Sequence, residues 1–183
     1  MTSLEGTGGR ELVRTSSNKI AIVTWQLGRR PRGNFKVLRS CRFGYPLVIE
    51  TLPIVDGKPF PTLHWLTCPH LREEVSRLES EGHIKRYQEL LELSQDFRRL
   101  FLRAVEADRE RKRELVKRLK EEAPWIERLG IGGVKNPLSV KCLHLHVASY
   151  LAGIPNPIGE DVLRFVKMEC QNERCSLVNG RTR

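Results

Sequence analysis

No stretch of this sequence approaches the roughly 20 consecutive apolar residues that a bilayer-spanning helix needs, so no membrane partner is expected. The polar start, Met1 to Thr15 with Glu5 and Glu11, has no apolar signal region. The expected compartment is therefore the cytoplasm, where thiols stay reduced. There, five cysteines read as free, metal-bound or catalytic before they read as disulfides. No C-x-x-C pair occurs, which removes the familiar zinc spacings. Also missing are a nucleophile elbow, an H-E-x-x-H helix, a dinucleotide fingerprint and a phosphate loop ending in Gly-Lys-Ser/Thr. Aromatic residues make up only 7% of the chain, which argues against recognition of single strands by rows of stacked bases.

Positive charge is in excess, and it is unevenly placed. The 183 residues carry a net charge of +10. Residues 1–42 hold nine Lys/Arg against Glu5 and Glu11, whereas residues 43–83 hold three against six acidic side chains. A cationic end of this kind favours polyanions: nucleic acid, polyphosphate or a phosphorylated ligand. Its plainer meaning is solubility.

The length suits one domain that can bury a core without staples. Residues 1–17, with Gly6, Gly8 and Gly9, read as a flexible N-terminal tail, residues 18–169 as a single domain, and residues 170–183 as a C-terminal tail. Asn18 is placed to cap a helix over 19–27 that Gly28 stops, although the β-branched run at 20–24 also suits a strand. Phe35–Cys41, Leu47–Leu52 and Thr62–Cys68 alternate as strands, with Asp56-Gly57-Lys58-Pro59 a turn signal. Short links between three strands imply an antiparallel meander. Helical spacing follows from Pro69 to Gly82, from Ile84 to about Lys120, over about 139–152 and over 160–169. The mostly charged stretch 108–122 reads as a solvated or projecting arm. The expected fold class is α+β: a small three-stranded meander packed with several helices, one of them long and charged.

That topology bears on the cysteines. Cys41 ends the first strand, and Cys68 ends a third strand that returns to the same end of the sheet. Cys68-Pro69 also opens a helix, where free N–H groups favour a thiolate. Cys142 and His144, in Val140-Lys141-Cys142-Leu143-His144, start another helix. If that start points the same way, Cys41, Cys68, Cys142 and His144 form a Cys₃His set suited to zinc, or to an iron–sulfur cluster. The alternative is small buried cysteines with no cofactor at all. Cys170 and Cys175 read as incidental, with a redox pair as the other option.

A second feature is Gly28-Arg29-Arg30-Pro31-Arg32-Gly33. Three arginines between two glycines can grip phosphate bidentately, so Arg29, Arg30 and Arg32 are candidate anion ligands. The competing reading is a solvated turn.

The stretches QLGRRPRG (26–33), GYPLVIETLP (44–53), PFPTLHWLTCP (59–69), VKCLH (140–144) and NPIG (156–159), with Gly132-Gly133, resemble the bacterial family catalogued as domain of unknown function 501. The resemblance spans about residues 20 to 165. It implies no activity. Genes of this kind often stand beside a polyphosphate or guanosine-pentaphosphate phosphatase and a small division protein, which implies a setting in phosphate metabolism or the cell cycle. Relatives tend to carry histidine where this chain has Ser149. If that histidine is a ligand elsewhere, its absence counts against a metal on that helix face.

The function expected first is a metal-stabilised module that binds nucleic acid or another polyanion. The alternative is a metal- or thiol-dependent enzyme acting on a phosphorylated substrate. A scaffold docking through 108–122 ranks third.

Overall fold

The computed structural model describes residues 16–170 and 174–178. Most of the expected N-terminal tail, residues 1–15, lies outside the described residues, as do 171–173 and 179–183 in the expected C-terminal one. Helix α1 spans Ser17–Leu27 and the strands are β1 Phe35–Ser40, β2 Pro46–Thr51, β3 Ile54–Val55, β4 Lys58–Pro59 and β5 His64–Leu66. The helices α2 Pro69–Ser80, α3 His83–Leu93, α4 Gln95–Leu119, α5 Leu143–Leu151 and α6 Pro157–Val162 follow. The class is α+β, as the sequence pattern implies.

The strands β1, β2 and β5 form one antiparallel sheet in that spatial order. All six residues of β2 are buried, as a central strand covered on both faces requires. On one face Val23 of α1 packs with Phe35 and Ile49, joined by Val37 and Trp65. On the other, Val48 and Leu66 join the main core with Leu71, Val75, Phe101, Val147 and Ile158 from four helices. The turn Asp56-Gly57 connects the small β3–β4 hairpin inserted between β2 and β5.

The helix alternative is the one taken for residues 17–27. Gly28 ends α1 with φ of 71°, and its N–H donates to the Trp25 carbonyl. Only glycine adopts that conformation without strain. The single helical run over 84–120 is divided at Ser94, whose hydroxyl accepts from the Phe97 N–H and caps α4. The charged stretch 108–122 is not a projecting arm. Residues 124–128 form a 3₁₀ turn that folds back on α4, with Ile126 buried, and Arg113 pairs with Glu127 at 2.8 Å. The last helix starts earlier and is shorter than the expected 160–169, because Asn156 caps it and Pro157 takes its first turn. Residues 174–178 are not simply tail: they form a 3₁₀ turn against α1 that buries Cys175.

Candidate functional site

Three places hold the side chains that the sequence singles out. The first is a cavity of about 200 Å³ at the end of the sheet where β1 turns into β2. Cys41 and Cys68 both line it, so the meander brings these two together as its strand order demands. The cysteines beside them are Cys170 and Cys175, from the chain's far end, and His70, Arg39, Arg42 and Arg174 also contribute. The two late cysteines read as incidental in sequence because nothing there shows residues 174–178 returning to α1. Gln26 Nε2 lies 3.3 Å from the Cys175 sulphur and donates to the Pro46 carbonyl at 2.9 Å. Two of these three arginines already have partners: Arg42 pairs with Glu169 at 2.7 Å and Arg174 with Glu73 at 2.6 Å.

The start of α2 does not activate Cys68. Burial pushes its thiol up, and the N–H groups of Leu71 and His70 offset this only partly. Burial likewise raises Cys175. The expectation of a thiolate at the helix start is therefore reversed, because Cys68 is buried, 6% exposed, and its thiol loses more solvation than the helix end returns.

The second place lies between α2 and the start of α5. Cys142 and His144 sit here with Glu79, their candidate ligand atoms all within 4.8 Å of one another. Cys41 and Cys68 are outside this group, so the four residues expected as one set are distributed over two places. The Glu79 carboxylate accepts from the Leu143 N–H at 2.6 Å, which caps α5, and lies 3.0 Å from His144 Nδ1. The other ring nitrogen, Nε2, faces the Arg72 carbonyl at 3.1 Å and the Ser76 hydroxyl at 3.3 Å. Burial, and then the Glu79 charge, push the Cys142 thiol up.

Sequence reasoning missed Glu79, which is one of four glutamates on or just after α2. A signal was present nonetheless. Leu71, Val75 and Leu78 form the buried stripe of α2, and Arg72, Ser76 and Glu79 repeat the same spacing one position along. All three of these touch His144.

His146 and Ser149 belong to the core. Both are essentially unexposed, and the His146 ring packs on Phe101. Asn156 Nδ2 donates to His146 Nδ1 at 3.1 Å, which leaves Nε2 to carry the proton without a partner. Burial lowers His146 to about 4. The Ser149 hydroxyl is also buried and without a partner.

The third place is the cationic loop with its neighbouring strand. Arg29 lies over the Trp65 ring at 5.1 Å, and Trp65 stacks on Phe60. Arg30 and Arg32 are exposed beside it, followed by Lys36 and Arg39 on the outer strand β1. No carboxylate among the described residues pairs with Arg30, Arg32, Lys36 or Arg39. The contrast with α4 is sharp: Arg99, Arg109, Arg111, Lys112 and Arg113 all have acidic partners. The reason lies in the sequence, which places no acidic residue between Glu11 and Glu50.

A small basic α+β domain with a Cys/His/Glu cluster and a bare cationic rim is what these features define. The family described as Protein of unknown function (DUF501) matches residues 37–164, and the chain belongs to it. No curated protein and no solved structure matches the chain. Among the described residues no helix is long and apolar enough to cross a membrane.

Proposed function

We propose that this domain binds a polyanion, a nucleic acid or another chain of phosphates, along the rim made by the 28–33 loop and β1. The observation that carries the reading is that, among the described residues, no carboxylate pairs with the exposed Arg30, Arg32, Lys36 and Arg39. Cations already in ion pairs must give up a partner to take a phosphate, whereas these four gain one at no such cost. Arg guanidinium groups suit the task, since their fork geometry matches phosphate oxygens. Arg29, fixed over Trp65, gives the loop an anchored end rather than a free one. The alternative of a thiol-dependent enzyme has less support, because burial raises Cys68 and Cys142 away from the reactive thiolate.

The test is fluorescence anisotropy of a labelled single-stranded oligonucleotide, titrated with protein over a range of salt, with inorganic polyphosphate as competitor. Binding should weaken as salt rises. The Arg30→Ala, Arg32→Ala, Lys36→Ala, Arg39→Ala variant should flatten the log–log salt slope by about 3, at about 0.7 per lost phosphate contact. The exposed positions leave the fold intact, which circular dichroism verifies. Absence of binding at about 50 mM salt, or an unchanged slope in the variant, would rule the rim out.

A further inference from the structure

The geometry points to a metal site at the junction of α2 and α5, in which Glu79, Cys142 and His144 hold one divalent ion of the zinc class. This goes beyond polyanion binding and does not depend on it.

The His144 ring sets the first constraint. Its Nε2 faces a backbone carbonyl, that of Arg72 at 3.1 Å, and a carbonyl can only accept. The tautomer with its proton on Nε2 donates to that carbonyl, with the Ser76 hydroxyl at 3.3 Å as a second acceptor. The lone pair of a neutral imidazole is then on Nδ1, which faces the Glu79 carboxylate at 3.0 Å. In that tautomer the two lone pairs need a cation between them, a second ring proton or a metal ion, whereas the tautomer with Nδ1–H donating to Glu79 and the Ser76 hydroxyl donating to Nε2 needs none.

A proton joins the histidine to the glutamate alone and leaves the Cys142 sulphur, which faces the Leu145 and His144 N–H groups, outside the pair. A metal ion uses all three, since the sulphur, the ring nitrogen and the carboxylate oxygen lie within 4.8 Å of one another. Thiolate, imidazole and carboxylate together form a donor set that zinc accepts. The Arg72 carbonyl plays the part that an outer hydrogen-bond partner plays at metal-bound histidines, fixing which nitrogen is free and how the ring is turned. The Leu143 N–H does the same for Glu79, to which it donates at 2.6 Å.

The ligands arise from two well-packed pieces. Glu79 lies in the last turn of α2, and Cys142 is the residue from which α5 starts, two positions before His144. Burial of Leu78 on α2 and Leu143 on α5 holds the helices against each other, which keeps the three donors within 4.8 Å of one another. Three protein donors leave a tetrahedral ion one position for water or a ligand, the arrangement of reactive rather than sealed zinc sites. The three residues are half-buried, which leaves the ion a route in.

The full chain is to be purified without chelator, its bound zinc and iron measured, and the metal-stripped protein titrated with cobalt(II) while its absorption is recorded. One ion per chain is expected, with a sulphur-to-cobalt charge-transfer band in the near ultraviolet. Cys142→Ser should abolish that band. Glu79→Gln, which keeps a carbonyl for the Leu143 N–H, should weaken cobalt at least about 10-fold, the smaller loss typical of removing even an outer partner of a ligand. Cys41→Ser and Cys68→Ser should leave both band and affinity unchanged. A folded protein that takes up neither zinc nor cobalt would overturn the proposal. So would a metal kept by Cys142→Ser and lost by Cys68→Ser, or bound iron with visible absorption lost in that same variant. Either result would move the ion to the four-cysteine cavity. Oligonucleotide binding, read separately, tells failure here from failure of the cationic rim.

Discussion

The NPIG segment shows how single residues settle a junction. Asn156 caps α6 by accepting from the Gly159 N–H at 3.1 Å, and this fixes the amide so that its Nδ2 points at His146. Pro157 takes the first helical position, where a missing N–H costs nothing. Gly159 then lets α6 cross α5 with backbone against backbone. A Cβ there would stand 2.1 Å from the His146 carbonyl oxygen and 2.7 Å from the Tyr150 Cβ. Neither neighbour can swing aside, because both contacts are to a packed helix. Gly159→Ala should therefore destabilise the fold by about 3 kcal/mol or more, at the upper end of overpacking costs. A thermal melt followed by circular dichroism checks this; an unchanged midpoint would mean that the two helices separate easily. By contrast Gly44, with nothing within 4 Å of its added Cβ, is an uncrowded position despite its φ of 82°.

Among the elements, α4 is where sequence and structure part. Its composition suggests solvent on every side from residue 108 onward, yet Asp108, Lys112, Leu115 and Val116 are all buried. The charged pair misleads because each charge hides behind the other: Lys112 Nζ bonds the Asp108 carboxylate one turn away, with 1% and 3% of the side chains exposed. Arg111 then reaches the sheet, donating two hydrogen bonds to the two oxygens of Glu50 on the central strand, at 2.7 and 2.8 Å. A charge pattern along one helix carries no trace of such partners when they lie 61 positions away in the chain. The meander was legible for the opposite reason. Strand alternation and the Asp56-Gly57 turn are local, and strand order then places Cys41 and Cys68 at one end by parity alone. The helical spacing sets Glu79 on one face of α2, but the α2–α5 packing that selects it from the other glutamates is not local. Removing one member of the buried pair should be costly. Lys112→Met leaves the Asp108 charge without its partner and should lower stability by about 3–5 kcal/mol, whereas Lys112→Met with Asp108→Leu should recover most of that loss. Urea denaturation of both variants decides it. Equal losses in the single and the double variant would show that the pair itself is not what the interior depends on.

On the scale of the whole molecule, charge is sorted into two populations. Five cations of α4, Arg99, Arg109, Arg111, Lys112 and Arg113, are held in pairs within the fold, while Arg30, Arg32, Lys36 and Arg39 of the rim are left for a partner, so salt acts mainly on binding. Acid acts on the interior. Burial alone would raise Glu50, but hydrogen bonding and charge from His64 and Arg111 outweigh it and lower the carboxyl to about 2. Burial lowers His146 from 6.5 to about 4. In both cases the folded pKa lies below the unfolded one, so between the two values the unfolded chain binds the extra proton. Stability is therefore fully present above pH 6.5, falls as pH drops from 6.5 to 4 through His146, and falls again from 4.5 to 2 through Glu50. The His146 share is on the order of 3 kcal/mol, because a protonated ring would have to sit beside Phe101 with no partner for Nε2. Urea midpoints at pH 7.5 and 4.5 should differ accordingly, and the difference should shrink in His146→Gln, whose side chain does not titrate. If the wild-type midpoints coincide, His146 takes up its proton in the folded state as readily as in water. The α4–α5 interior would then have to be open to solvent, which its packing denies.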